Sequence, residues 1–264
     1  MQRYIELDSF TAVGPGEVAN LVLAPGVRYD EIHLESNQAA KVEYVRLTLN
    51  AIEIFRLTKD ELSMLNVYDG LPENSSFISI PLAMVQAQML DSQLMSGLVT
   101  GPGDNVVLEV KFKDDAVAPV LKAFANVAAH NGVRSMVRRF VKYTIPVAAS
   151  GEVDFTSIVK GPRILRMYFK SGNIDKLEIK QNQRTVYELT KARNDFLIER
   201  ARKNLVTNHF IFDSVKRDFP LVDAMPTNFL NLNFRLTVGS GGAQNVEVLV
   251  EQLEAVEPRD WRTK

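Results

Sequence analysis

The residues that could bind a metal or act as a nucleophile are few in this 264-residue chain. It contains no cysteine, and its three histidines, His33, His130 and His209, stand far apart. A metal-dependent cupin needs a His-x-His pair on one strand, with a Glu and another His that converge on the ion. The spacing therefore disfavours a two-domain metal enzyme of this kind, and stoichiometric bound metal after purification would be needed to revive that interpretation.

No segment has the pattern of a nucleophile elbow or of a phosphate-binding loop. Gly-x-Ser-x-Gly is absent, and the Gly-Ser-Gly-Gly stretch that begins at Gly239 lacks the Lys-Ser/Thr pair of a phosphate loop. Residues 239–244, like residues 101–105, separate two strand-like runs, so we expect both to be hairpin loops. We therefore expect a protein that is not an enzyme.

A run of basic side chains follows the middle of the chain. It contains Arg134, Arg138, Arg139 and Lys142. One interpretation is the solvent-exposed edge of a strand. The other is a patch that contacts anionic lipid or nucleic-acid phosphate, because each basic group adds attraction to such a surface. Basic residues elsewhere are too dispersed among acids for a DNA-binding stripe, so we expect no specific nucleic-acid partner.

The two halves of the chain differ in charge, although the whole has a formal net charge of only −1. Residues 1–130 contain 9 Lys/Arg and 17 Asp/Glu, whereas residues 131–264 contain 22 and 15. One interpretation is that the two halves have ordinary surfaces that differ in charge. The other is that they are two domains of opposite net charge that meet across an interface, where complementary potentials select the partner.

The composition is that of a globular protein, with 46% hydrophobic and 24% charged residues. Such a chain has too much apolar surface for a disordered protein. The first residues lack the apolar run of a secretory signal, and no stretch approaches 18 uninterrupted apolar residues. We therefore expect synthesis in a cytoplasm and no membrane-spanning segment.

An internal repeat predicts the domain organisation. Residues 18–35 align without gaps with residues 153–170, residues 47–50 with 177–180, residues 55–59 with 187–191, and residues 101–110 with 239–250. This order predicts two copies of one domain, residues 1–130 and 131–264.

Short strands dominate both copies of the repeat. Apolar residues alternate or run together, between Gly, Pro or Asn, in residues 4–7, 42–49, 106–112, 164–169, 176–180, 209–212, 230–238 and 246–253. About eight such strands in each copy predict an all-β protein of two tandem jelly-roll or β-sandwich domains.

Short helices are predicted in the loops and in the connector. Thr190 caps a helix in residues 191–205, and a shorter counterpart follows Thr58. The apolar residues on or near one face of the former helix are Phe196, Leu197, Ala201 and Leu205. Residues 114–130 have the pattern of an amphipathic helix from about Pro119, which we assign to the end of the first copy as the connector.

The order and spacing of these segments resemble the major coat protein of corticoviruses, which are tailless icosahedral phages with a membrane beneath the capsid. The likeness is best in residues 25–32 and 42–49, and it is also good in residues 194–199, 208–213 and 246–251. The resemblance implies a double jelly-roll coat protein, made in the host cytoplasm and located in the virion capsid.

The same resemblance implies particular partners. Three chains would form a homotrimeric, pseudo-hexameric capsomer that joins a capsid lattice and meets minor capsid, vertex and membrane proteins of the virion. It also implies contact with the internal membrane and bound calcium, for which the sequence identifies no ligand.

A second function class stays open, namely a tandem β-sandwich that binds carbohydrate or acts as an adhesin. Such a module would use exposed aromatic rings as platforms for sugars. The sole tryptophan, Trp261, lies in a polar C-terminal tail, and binding to a glycan array would favour this class.

Overall fold

The computed structural model describes residues 2–130, 134–240 and 244–256, so Trp261 lies outside the described residues. The chain divides into two compact units: the first extends to Arg139 and also includes the residues from Ala255 onward, and the second covers Phe140–Glu254. We describe each unit by itself.

The first unit contains two antiparallel sheets and two α-helices. Its strands are β1 (Gln2–Glu6), β2 (Val18–Val22), β3 (Val27–Ser36), β4 (Val42–Leu49), β5 (Ile52–Thr58), β6 (Phe77–Pro81), β7 (Leu98–Val99), β8 (Val106–Phe112) and β9 (Leu121–Ala129). Its helices are a 3₁₀ turn at Ala39–Lys41, α1 (Lys59–Tyr68) and α2 (Leu90–Ser96). The sheet orders are β1-β9-β3-β6, with β7 also beside β3, and β2-β8-β4-β5.

The second unit repeats this arrangement. Its strands are β10 (Met136–Val147), which begins in the first unit, β11 (Gly151–Phe155), β12 (Arg163–Lys170), β13 (Ile174–Gln181), β14 (Arg184–Thr190), β15 (Phe210–Asp213), β16 (Met225–Pro226), β17 (Leu232–Val238) and β18 (Gln244–Ala255). Its helices are α3 (Lys191–Arg200) and α4 (Pro220–Asp223). The sheet orders are β10-β18-β12-β15, with β16 also beside β12, and β11-β17-β13-β14.

Each unit is a jelly roll, and the predicted fold class is confirmed. Successive strands enter the two sheets in the same sequence in both units, and a two-residue strand is added to eight main ones. Apolar alternation explains the strands: in β8 the buried residues are Val106, Leu108, Val110 and Phe112. The corresponding strand β17 buries Leu232, Phe234, Leu236 and Val238 in the same way. Period-two alternation of this kind turns one apolar face of each strand toward the core between the sheets.

The predicted connector helix is wrong, because residues 121–129 form strand β9. This strand pairs with β3 along its whole length on one side and with β1 over residues 124–128 on the other. Its four alanines favour a helix locally, yet the sheet supplies backbone hydrogen-bond partners on both edges. Tertiary pairing therefore overrides the local preference.

The last segment of the repeat alignment is wrong. The alignment of residues 101–110 with 239–250 matches β8 with β18, whereas the sheet orders match β8 with β17 and β9 with β18. The expected hairpins are also wrong. Residues 101–105 lie between β7 and β8, which belong to different sheets, and the strands that flank residues 239–243 likewise belong to different sheets.

The helix after Thr190 is present but ends at Arg200, and its counterpart α1 has the same length of ten residues. The predicted apolar face is wrong, because Phe196 is 58% exposed and the buried side chains are Asn194 and Ile198. The Asn194 amide explains this orientation. Its Nδ2 donates to the carbonyl of Ile211 at 2.8 Å, and its Oδ1 accepts a hydrogen bond from the Tyr187 hydroxyl at 2.7 Å.

Candidate functional site

The four residues of the predicted basic patch do not form one solvent-facing surface. The Arg134 Nε donates to the carbonyl of Val99 at 2.8 Å, and its guanidinium forms an ion pair with Asp104. Arg138 is only 6% exposed, and its guanidinium donates to the carbonyls of Pro81 and Ala83 at 3.0 and 3.2 Å. Both arginines belong to the first unit, and they hold the first residues of β10 and the segment before it against loops of that same unit.

The other two members of the run are placed differently. Arg139 is partly buried, and Lys142 is exposed. Arg134 and Arg138 are thus unavailable to a large anionic surface, which corrects the expectation of a patch built from all four residues. For Lys142, contact with lipid or phosphate stays a prediction.

Asp104 is the centre of the network that receives Arg134. Its carboxylate accepts hydrogen bonds from the backbone N–H of Gly101 at 2.7 Å and from the Nδ2 of Asn50 at 2.9 Å. A carboxylate that accepts from several donors at once fixes the geometry of its loop. The segment that contains Arg134 is thereby held to this loop within the first unit.

The outer face of the β1-β9-β3-β6 sheet combines carboxylates with aromatic rings. Cross-strand register places Tyr4, Asn126, Glu31 and Pro81 in one row, and Glu6, Phe124, His33 and Ser79 in the next. A third row contains Lys122, Glu35 and Phe77. We call the surface formed by Tyr4, Glu6, Glu31, His33, Glu35 and Phe124 the acidic face.

Stacked rings form the middle of the acidic face. The His33 and Phe124 rings stack with centroids 4.8 Å apart, and the Phe77 ring meets Phe124 edge-on at 6.3 Å. The Nδ1 of His33 lies 2.9 Å from the Ser79 hydroxyl. Burial lowers the pKa of His33, whereas burial, together with the neighbouring Asp30 carboxylate, raises the pKa of Glu31. Burial therefore disfavours the ionised forms of both His33 and Glu31 near the centre of the acidic face.

In the equivalent sheet of the second unit, a buried cation takes the place of a carboxylate. Arg166 takes the repeat position of Glu31 and is 1% exposed. Its Nε lies 3.2 Å from the Asp213 carboxylate, and a terminal nitrogen lies 3.6 Å from that of Glu251. The Tyr168 hydroxyl donates to Glu251 at 3.3 Å. This cluster is buried, and the charge of Arg166 is paired with two carboxylates of the same sheet, so it is a structural feature of that sheet.

Sequence reasoning missed both surfaces, although signals for them were present. Glu31, His33 and Glu35 are spaced by two along one strand, which indicates a common polar face. Arg166 is a lone charge inside the apolar run of β12, which indicates a buried ion that needs partners. Neither pattern identified the residues on the neighbouring strands.

The calcium implied by the resemblance finds no matching donor set. Within residues 2–130, 134–240 and 244–256, no group of three or more acidic or histidine side chains is placed to hold an ion. Calcium favours six to eight oxygen ligands, so we assign no residue to it. Among the same residues, no helix has the length and apolar character needed to cross a membrane.

Family comparison decides between the structural and the carbohydrate-binding interpretations. The family model of the viral coat protein P2 N-terminal domain matches residues 4–128, and that of the C-terminal domain matches residues 137–256. The chain belongs to the viral coat protein P2 family. This P2-family chain is therefore a coat protein, and its place is the virion capsid.

Solved structures show the same fold at low sequence identity. The major capsid protein P2 from Bacteriophage PM2 has a TM-score of 0.88 and 18% identity, over 98% of this chain and 99% of that chain. The major capsid protein of Sulfolobus Turreted Icosahedral Virus has a TM-score of 0.68 and 9% identity over the full length of both chains. The PBCV-1 virus capsid gives 0.65 and 8%, over 96% of this chain and 93% of that chain.

The resemblance to corticovirus coat proteins and the double jelly-roll fold are both confirmed by these matches. No curated protein sequence matches the chain at a significant level. The solved structures therefore show, at the level of fold, the same relationship that the P2-family models show in sequence.

Proposed function

We propose that this P2-family protein forms a homotrimeric, pseudo-hexameric capsomer of an icosahedral capsid. The observation that carries the proposal is the presence of two jelly rolls with the same strand order in one chain. Three such chains place six similar wedges around a ring, which can tile a hexagonal lattice with one gene product. Contacts between the first unit of one chain and the second unit of the next are heterologous, and a three-fold rotation closes them.

The virus would be a tailless phage with a membrane beneath its capsid. The near-complete coverage of the Bacteriophage PM2 protein supports this proposal. In this setting the protein works by contact rather than by catalysis. Its partners are other copies of itself, minor proteins at the vertices and membrane proteins of the virion.

The mass of the protein in solution tests this proposal. Light scattering coupled to size exclusion should give three times the chain mass of 29.6 kDa. Electron microscopy of the same peak should show six-lobed rings. A chain that stays monomeric at high concentration, with calcium and without it, would contradict the proposal. A trimer without six lobes would support the homotrimer but contradict the pseudo-hexameric shape of the capsomer.

A further inference from the structure

The internal repeat shows that a helix face that is buried in α1 is exposed to solvent in α3. Aligned end to end, α1 and α3 place Met64 opposite Phe196 and Tyr68 opposite Arg200. Met64 is 8% exposed and Tyr68 is fully buried, whereas Phe196 is 58% exposed and Arg200 is also exposed. The same helix position is thus packed in one unit and open to solvent in the other.

Differences in loop length accompany this change. In the first unit, residues 82–97 connect β6 to β7, and Gln86 in this segment donates from its Nε2 to the carbonyl of Asp69 at 2.6 Å, beside the end of α1. In the second unit, the corresponding connection from β15 to β16 is the shorter segment 214–224. The Phe196 ring is therefore exposed at a helix position that is packed in the sister domain, and it is accessible to another molecule.

The exposed face of α3 has a definite chemistry. Arg193, Phe196 and Arg200 follow the spacing that brings side chains to one side of a helix, and all three are exposed. No ion pair joins either arginine to a carboxylate in the described part of the chain. We call these three residues the α3 face.

The acidic face has the complementary chemistry. Its Glu6 and Glu35 are exposed, and they have no cationic partner among the described residues. Beside them, Tyr4, Glu6, Asp8, Glu35, Lys122 and Phe124 line a groove of about 420 Å³. The Phe124 and His33 rings provide an aromatic surface at its side. An arginine–phenylalanine–arginine face and a carboxylate-flanked aromatic groove fit one another by charge and by apolar contact.

We propose that the α3 face of one chain docks on the acidic face of a second copy of the same chain. This inference rests on the proposed capsomer and specifies its contact: Phe196 enters the groove beside Phe124, and Arg193 and Arg200 pair with Glu6 and Glu35. The contact is head-to-tail, so three copies related by a three-fold rotation satisfy every face. Arginine and aromatic residues at the centre of an interface typically carry most of its binding energy.

Charge reversal and charge exchange test the pairing. The Arg193→Glu/Arg200→Glu variant should raise the concentration at which the trimer dissociates by about tenfold or more. Adding Glu6→Lys/Glu35→Lys to it should return that concentration toward the wild-type value. Arg184→Glu, on the exposed edge strand β14, is the matched control and should change it little. Thermal unfolding of each variant establishes that the fold is retained.

Crosslinking gives a second readout, because the chain contains no cysteine. Phe196→Cys is combined in turn with Tyr4→Cys, Glu6→Cys and Glu35→Cys, since a disulfide requires Cα atoms within about 7 Å of each other. At least one pair should give dimers and trimers on a non-reducing gel. Val222→Cys, at another exposed position, on α4, replaces Phe196→Cys in the control and should give none.

The outcomes separate this inference from the function on which it rests. A wild-type chain that is always monomeric overturns both. A wild-type trimer that is unaffected by Arg193→Glu/Arg200→Glu, or whose loss Glu6→Lys/Glu35→Lys does not rescue, overturns only the contact. If Phe196→Ala leaves the trimer intact but abolishes binding to phosphatidylglycerol vesicles, the α3 face belongs to a lipid surface and the docking proposal is wrong.

Discussion

Asn50 and Asn182 occupy the same position in the two units, at the first central residue of the turns between β4 and β5 and between β13 and β14. Both have positive φ angles, as do the following residues Ala51 and Gln183, at 65° and 68°. Two successive positive angles define the type I′ turn, which favours Asn followed by Gly. Each Asn side chain also accepts a hydrogen bond from a backbone N–H of the neighbouring loop.

The second residue of this turn is a point of strain. Replacing Gln183 by Gly should raise the free energy of unfolding by about 1 kcal/mol, because the left-handed region costs a non-glycine residue about that much. Thermal or urea unfolding measures the gain. Asn182→Gly is the control, because it removes the hydrogen bond to Asn231 and should not stabilise. A Gln183→Gly variant no more stable than the wild type would contradict the argument.

Arg166 illustrates a different dependence on neighbours. Arg166→Met should lower the free energy of unfolding by roughly 3–5 kcal/mol, because it leaves the carboxylates of Asp213 and Glu251 buried without a counter-charge. Arg184→Met, at an exposed position, should change stability by less than about 0.5 kcal/mol. Equal effects of the two substitutions in urea unfolding would show that the buried cluster is not under this constraint.

Glu31 carries a pH dependence with a definite sign. Burial raises its pKa, so the folded protein disfavours the ionised form, and stability is lost as the pH rises through the folded-state pKa. Glu31→Gln removes that loss and should raise the melting temperature at pH 7. The gain should shrink as the pH falls toward 4.5, the ordinary pKa of a Glu side chain, because folded wild-type Glu31 takes up its proton above that pH.

The neighbouring His33 has the opposite effect on the pH dependence of stability. This effect is the same in the wild type and in the Glu31→Gln variant. Its pKa is lowered by burial, so its contribution to stability is lost as the pH falls below about 6.5. The difference between wild type and Glu31→Gln therefore isolates Glu31. Glu35→Gln, an exposed position on the same strand, is the control. A gain that stays constant between pH 7 and 4.5 would exclude the ionisation of Glu31 as its source.

At the scale of elements, α1 and α3 are the same helix with different N-termini. Thr58 and Glu61 form a complete capping box, in which the Glu61 N–H donates to Thr58 Oγ1 at 3.2 Å and the Thr58 N–H donates to Glu61 at 2.7 Å. Thr190 occupies the N-cap position of α3 without a side-chain hydrogen bond, and Arg193 stands where α1 has Glu61. The reciprocal pair, rather than the threonine alone, secures the first turn.

This difference predicts unequal costs for the same substitution. Thr58→Ala should lower the free energy of unfolding by about 1 kcal/mol, because it removes a formed cap. Thr190→Ala should cost less than half as much, since it removes no cap hydrogen bond. Urea unfolding of the two variants provides the comparison. A larger loss for Thr190→Ala would show that the cap geometry does not govern these helices.

At the scale of the whole molecule, the two jelly rolls have the same strand order but opposite net charge. The first 130 residues have an excess of acids, and residues 131–264 have an excess of bases. In a ring of alternating units, each wedge would then be flanked by wedges of opposite sign. Complementary potentials favour the correct neighbour and penalise contact between identical units.

The trimer should therefore be sensitive to salt. Raising the ionic strength from about 0.1 to 1 M shortens the Debye length from about 10 to 3 Å and should promote dissociation. Light scattering at a series of sodium chloride concentrations measures this. A trimer whose dissociation is independent of salt would argue that apolar contacts alone hold it, and that the division of charge has another role.

Much of the fold was predictable because its signals are local. The alternation in β4 and β8, the Thr58–Glu61 box and the ordered recurrence of segments are properties of neighbouring residues, so they require no knowledge of the tertiary structure. They led to two jelly-roll copies and, through the order of the segments, to the coat-protein family. The acidic face was only partly visible, since Glu31 and Glu35 share a strand whereas Glu6 and Phe124 come from distant ones.

What the tertiary structure alone decided depends on partners far along the chain. The alanine-rich residues 121–129 suit a helix and a strand almost equally, and the backbone groups of β1 and β3 select the strand. The run that contains Arg134 and Arg138 reads as exposed, yet distant carbonyls and Asp104 bury both arginines. Local sequence determines which backbone conformations have a low free energy. Whether a charge is buried or a strand is paired depends on the groups that the fold brings next to it.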